Sequence, residues 1–282
     1  MLGIGANGFT LVELLVCTVI VGMLASLLMS SLSAAKRRAR QLGCISNLHQ
    51  LGVAFRGAYD DLGSSRLDFG GNWPVETYRY LGSSHAVRAC PTVRLPDLDA
   101  FKLVRGSFRL PVADTAGMVK WAETGGVSPA TAAPWMSATY FSYAYNRWLS
   151  WSEEPRQWER YFCSEELIQA PANTPLLLDA NSLMLAPTPG ESGAADLYVN
   201  TNRVHSNGTT TDATVDMMVA RHGPRAPPSS SLRATASEMK RWRSGMLLFD
   251  GHTEMPLLND LHHYSWSRNW EKIPFHFSEL SP

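Results

Sequence analysis

Cysteine and charge are both scarce in this chain. Only four of its 282 residues are Cys and only 18% are Asp, Glu, Lys or Arg. Four cysteines are too few for a disulfide-dense scaffold. The 25 basic and 25 acidic residues cancel to zero formal net charge, which withholds the basic footprint of a nucleic-acid binder. No nucleic-acid partner is expected. Patterns of common catalysts are missing too: there is no His-Glu-x-x-His, no Walker loop and no dinucleotide fingerprint set between a strand and a helix. Nor is there a Gly-x-Ser-x-Gly elbow, and no fixed-period repeat points to a solenoid or propeller. Aromatics are plentiful, with nine Trp, nine Tyr and ten Phe, so disorder as the main state is excluded. The length allows one large domain or two modest ones.

One stretch has almost no ionisable group. From Leu14 to Ala35 the sequence reads LLVCTVIVGMLASLLMSSLSAA, with only the thiol of Cys17 able to titrate. As a helix, such a run spans roughly the 30 Å hydrocarbon core of a bilayer. A buried helix of a soluble protein and a cleaved secretory signal are the rival readings. A secretory signal predicts a basic start and a shorter apolar run, whereas MLGIGANG contains no Lys or Arg. The segment reads as a retained membrane anchor.

Glu13 interrupts the apolar pattern. A carboxylate in mid-bilayer costs about 2.5–3.5 kcal/mol on insertion scales, so it needs either a place at the headgroup level near the positive end of the helix dipole or a cationic partner. Gly8-Phe9-Thr10-Leu11-Val12-Glu13-Leu14-Leu15-Val16 resembles the processing site of type IV prepilins and of the pseudopilins of type II secretion. The resemblance implies that a prepilin peptidase cuts after Gly8 and that the new N-terminus, Phe9, is methylated. It also implies that Glu13 pairs with the Phe9 amine of a neighbouring subunit. A carboxylate and an ammonium buried together cost far less than either alone. Lys36, Arg37, Arg38 and Arg40 follow the anchor, and taken alone the positive-inside rule would turn that end to the cytoplasm. The resemblance implies the reverse: a single-pass inner-membrane protein with its C-terminal head in the periplasm.

Beyond the anchor, Leu42, Ile45, Leu48, Leu51 or Gly52, Phe55 and Tyr59 recur at three- and four-residue steps, one apolar face of an amphipathic helix. The expected domains are a leader (1–8), a helix (9–59, with 9–35 the anchor and 36–59 amphipathic) and a head (60–282). Cys44-Ile45-Ser46-Asn47-Leu48-His49-Gln50-Leu51-Gly52 also resembles a stretch of the large pseudopilin-like proteins of planctomycetes and verrucomicrobia. So do Asn72-Trp73-Pro74, Cys90-Pro91, Ser142 to Asn146 and Thr174 to Asp179. That branch carries a His shortly before an apolar strand and Asp-Gly. Here Arg221-His222-Gly223 and Gly245 to His252 supply the halves, separated by a basic, Pro- and Ser-rich insertion at about 224–244. An inserted surface loop of this kind adds little closure entropy.

The head reads as α+β, a mostly antiparallel sheet packed on the long helix in a pilin-like fold. Strand-like runs are 139–145, 174–180, 196–199, 217–220 and 245–249, in series without helices between them. The aromatic tail (Tyr264, Trp266, Trp270, Phe275, Phe277) is expected to cover the sheet or an edge. Asp179, His205, His222, Asp250 and His252 are the candidates for a metal site; His222 and Asp250 are the favoured pair, although Asp250-Gly251 is first a hairpin-turn signal. His262-His263 reads as an ordinary surface pair. Calcium is conceivable, but no EF-hand loop is present, so no cofactor is expected. Cys44, Cys90 and Cys163 would lie where disulfides persist, and Cys44 with Cys90 is the preferred bridge of three. Asn207-Gly208-Thr209 matches a glycosylation acceptor by a pattern too short to weigh.

These readings converge on a non-enzymatic filament subunit. Its expected partners are copies of itself, other pseudopilins, prepilin peptidase, the secretion or pilus machinery and the membrane. A membrane-anchored surface binding or sensor protein that never polymerises is the alternative. An anchored metallohydrolase using His222 and Asp250 is a third reading.

Overall fold

The structure is a computed structural model that describes residues 9–62, 73–81, 85–92, 112–113, 140–150, 158–180, 184–190, 192–194, 221–223 and 240–278. The leader (1–8), the strands expected at 196–199 and 217–220, His205, Asn207 and most of the basic insertion lie outside the described residues. Two units divide the chain, 1–40 and 41–282.

One helix, α1 (Leu11–Leu62), occupies 52 residues. It starts later and ends later than the periodicity suggests, because its termini are set by local chemistry. Thr10 is the N-cap and Glu13 closes a capping box: Thr10 N–H and Oγ1–H donate to Glu13 Oε2 (2.9 and 2.8 Å), while Glu13 N–H donates to Thr10 Oγ1 (3.3 Å). Two otherwise orphaned helix-start donors are thereby satisfied. In the first unit the apolar side chains are exposed all round, from Leu11 (79%) through Leu24 to Leu32 (67%), and the segment is long and apolar enough to cross a membrane.

From Gln41 onward one face of α1 is buried. Its residues are Cys44, Leu48, Leu51, Phe55 and Ala58, at the four- and three-residue steps that share a helix face. This corrects the expected face by a small rotation. Leu42 is exposed and Ile45 and Tyr59 only half-buried, while Cys44, Ala54 and Ala58 take their places, since small side chains allow the helix to approach the sheet closely.

Nine strands are described: β1 (Val112–Ala113), β2 (Tyr140–Phe141), β3 (Tyr143–Asn146), β4 (Pro175–Asp179), β5 (Met184–Leu185), β6 (Ser192–Ala194), β7 (Met246–Leu248), β8 (Thr253–Glu254) and β9 (His276–Ser278). The main sheet has the order β5-β3-β4-β7-β8. Four of its strands, β3, β4, β7 and β8, are antiparallel neighbours, and β5 adds in parallel to β3. Three of the expected runs are thus strands, and the fold is α+β and pilin-like. Two small pairs, β1-β2 and β6-β9, lie outside this sheet.

Strand alternation sorts the sheet's two faces. Tyr143, Tyr145, Leu177 and Leu247 join Leu48, Leu51 and Phe55 of α1 in one core cluster. Ala144, Leu178, Met246 and Leu248 point the other way, into a cluster with Trp242, Trp266 and Phe275. Trp266 and Phe275 of the aromatic tail, with Tyr264 and Trp270 packed against them, therefore cover the sheet face opposite α1, as expected, and the indole of Trp266 donates to Leu261 O at 2.7 Å. Leu176 and Leu177 both face α1, because an irregularity lies between Pro175 and Leu177 in the β4–β7 register.

Candidate functional site

Of the processing and assembly residues, Gly8 lies outside the described residues. Phe9 is exposed (72%), and Glu13 is exposed and engaged by Thr10 of its own chain. The helix-start role of this carboxylate is therefore present within one molecule. The rest of the anchor, Leu14 to Ala35, carries no charged side chain.

A second constellation is buried in the head. Asp179 ends β4 two residues after Leu177, so strand alternation aims its side chain at α1. Cys44 is one turn before Leu48 on the buried face of that helix. Asn47, one turn after Cys44, donates through Nδ2 to the carbonyls of Ala86 (3.3 Å) and Ala89 (3.0 Å). A Cβ on Gly43 would come within 3.1 Å of Pro91. Gly43 and Asn47 thus hold the segment that delivers Cys90 beside Cys44, and Cys90 N–H donates to Ser142 Oγ at 2.6 Å. His222 arrives by a short antiparallel pairing with Arg243, sharing two backbone hydrogen bonds of 3.1 and 2.8 Å. The two ends of the basic insertion therefore lie side by side, as expected for a loop inserted in a hairpin.

The donor atoms of Cys44, Cys90, Asp179 and His222 lie within 4.8 Å of one another. His222 Nε2 is 3.4 Å from Asp179 Oδ2 and 3.4 Å from Cys90 Sγ, and Cys44 Sγ is 4.0 Å from Asp179 Oδ2. All four residues are buried, with His222 the most accessible at 6%. A second layer supports them. Gly245 N–H donates to Asp179 Oδ2 (2.7 Å), the Arg221 guanidinium lies 3.3 Å from Asp179 Oδ1, Thr92 Oγ1 lies 3.0 Å from Cys90 Sγ, and Tyr143 Oη lies 3.4 Å from Cys44 Sγ. Gly245 is required by space. A Cβ there would sit 2.8 Å from Cys44 Sγ and 3.0 Å from Asp179 Oδ2.

The electrostatics follow from burial and crowding. Burial pushes the Cys44 thiol, the Tyr143 phenol and the Asp179 carboxyl up. Burial alone would lower His222, but its hydrogen bonds to Asp179 and Cys90 prevail and push it up to about 10. Burial likewise opposes a Cys90 thiolate, and contacts with Cys44 and His222 outweigh it, holding Cys90 well below the usual thiol range.

This arrangement is not a nucleophile–base–carboxylate relay. In such a relay the two ring nitrogens of His face different partners, whereas here the sulfur and the carboxylate oxygen both approach Nε2. Convergence of four donors on one point is what a metal ligand set does. Two sulfurs make it unsuited to calcium, which takes oxygen ligands.

Two expectations are corrected. His222 does not meet Asp250: its carboxylate partner is Asp179. Asp250 instead sits in the exposed β7–β8 turn, 2.6 Å from His252 Nδ1, with Glu254 Oε1 2.9 Å from His252 Nε2. The hairpin-turn reading of Asp250-Gly251 fits that place, and Gly251 has φ +93°. Cys44 and Cys90, the expected bridge, are brought together within 4.8 Å with both thiols free in this structure. His262 is buried against Phe275, so only His263 of that pair is on the surface.

A family model described as the prokaryotic N-terminal methylation motif matches residues 5–29. No curated protein and no solved structure matches the chain.

Proposed function

We propose that the chain, whose residues 5–29 match the N-terminal methylation motif, is a type IV pilin-like protein cut by prepilin peptidase and a structural subunit of a pseudopilus or pilus filament. In this reading Gly8 is the last residue removed and Phe9 becomes the mature, methylated N-terminus. The helix then waits in the inner membrane with the head in the periplasm. Extraction into a filament exchanges lipid for neighbouring helices, a transfer that an all-round apolar surface favours in both settings. The Glu13 carboxylate leaves its local cap, or adds to it, by meeting the Phe9 amine of the next subunit. The head decorates the outside and performs no catalysis.

The observation that carries this reading is the methylation motif continuous with an anchor exposed on every side. Its test separates the two roles of Glu13. Gln retains the capping geometry without the charge, whereas Thr10→Val removes the cap and keeps the charge. Glu13→Gln should insert normally yet fail to crosslink into multimers, and Thr10→Val should assemble. Equal multimer formation by Glu13→Gln and the parent would remove the pairing role. That result would favour the alternative of an anchored surface protein that stays solitary.

A further inference from the structure

We propose that Cys44, Cys90, Asp179 and His222 form a closed tetrahedral zinc site that ties four distant segments of the head together. Zinc bonds of about 2.3 Å to sulfur and 2.0–2.2 Å to nitrogen or oxygen give donor-to-donor edges of about 3.3–3.8 Å in a tetrahedron. The edges here are 3.4, 3.4 and 4.0 Å, with every pair inside 4.8 Å. The shell is that of a zinc site, slightly expanded.

Two thiolates, one imidazole and one carboxylate suit zinc and not a hard cation. Four protein ligands leave no open position, which marks a structural site rather than a catalytic one. Two thiolates and a carboxylate bring three negative charges, and a dication with the adjacent Arg221 guanidinium returns three positive ones. A buried cluster is tolerable only when its charges balance and its lone pairs are engaged. The supporting layer is already in place, since Gly245 N–H and Arg221 orient the carboxylate while Thr92 and Tyr143 reach the sulfurs. Binding would release the protons that the ligands still hold, couple the fold to the metal and make the Cys44–Cys90 bridge and the metal mutually exclusive. The inference does not depend on whether the chain polymerises.

The test uses the full chain, extracted into mild detergent without oxygen or chelator, with metal measured by mass spectrometry and thiols by alkylation. The expected result is about one zinc per chain, with Cys44 and Cys90 alkylated only after the metal is removed. Cobalt(II) added to the stripped protein should give a sulfur-to-cobalt charge-transfer absorption. Cys90→Ser should weaken that band, His222→Ala should lose the metal, and His222→Cys, which restores a ligand, should regain it. Cys163→Ser should change nothing. A stoichiometric Cys44–Cys90 disulfide in the isolated chain would overturn the proposal, as would reduced wild-type protein that takes up neither zinc nor cobalt. Both results come from the unmodified chain, so they stand even where a variant fails to fold.

Discussion

Glu13 and Asp179 are both acids in apolar surroundings, and they are handled in opposite ways. Asp179 is enclosed by its own chain: Gly245, Arg221, His222 and Cys44 surround it in the head. Glu13 is exposed, and among the described residues its partner is Thr10. The apolar residues around them divide in the same way. Those of the head are buried in two clusters on either face of a sheet, and those of the first unit are exposed. One region buries its apolar side chains within the molecule, while the other leaves its apolar side chains exposed.

If that contrast is right, truncations in the two regions should behave differently. The largest effect is expected from Trp266→Ala, which empties a fully buried site and should lower head stability by about 3–5 kcal/mol, read as a shifted urea midpoint. Leu24→Ala, in the anchor, should leave that midpoint where it was. Gly245→Ala comes next. The added methyl must displace Cys44 or Asp179, and overpacking of this kind costs about 1–3 kcal/mol. Thr10→Ala should cost about 1 kcal/mol, confined to the first turn of α1. Hydrogen exchange at residues 11–14 should rise while exchange in the head stays unchanged.

The smallest effect concerns the exposed trio Asp250, His252 and Glu254. Slight burial lowers His252, but hydrogen bonds to Glu254 and Asp250 outweigh it and raise its pKa above the ordinary 6.5. A group raised in the folded state contributes stability that is full below the unfolded value and is lost as pH climbs through the folded one. His252→Gln should therefore destabilise the head slightly near pH 5 and not at all well above neutrality. The urea-midpoint difference should be small, because exposed pairs are screened by solvent.

The legible parts of the molecule were those written in continuous sequence. The anchor announced itself as an unbroken apolar run, and strands β3, β4 and β7 as short apolar runs between turn residues. The helix face was nearly right, but Ala54 and Ala58 carry little hydrophobic signal, and close packing rather than hydropathy selects them. The buried cluster was only half legible. Asp179, His222, Cys44 and Cys90 were each singled out, yet Cys44 and Asp179 are 135 residues apart, and no local pattern joins them. On sequence alone Asp250 ranks ahead of Asp179, because the resemblance to a branch with a His followed by Asp-Gly pairs it with His222. The usable signal was alternation: Asp179 shares the face of Leu177, and a carboxylate at an inward position of an apolar strand demands a buried partner. Thr10 and Glu13 also spelled a capping box, which the pull of the apolar run obscured.

The central claim is that the N-terminal segment is cut to expose a helix meant for other copies. The most direct measurement is mass spectrometry of the N-terminal peptide of the mature protein from its native membrane. A chain beginning with N-methylated Phe9 is predicted. A mature chain that keeps residues 1–8, or begins at any residue other than Phe9, would contradict the account.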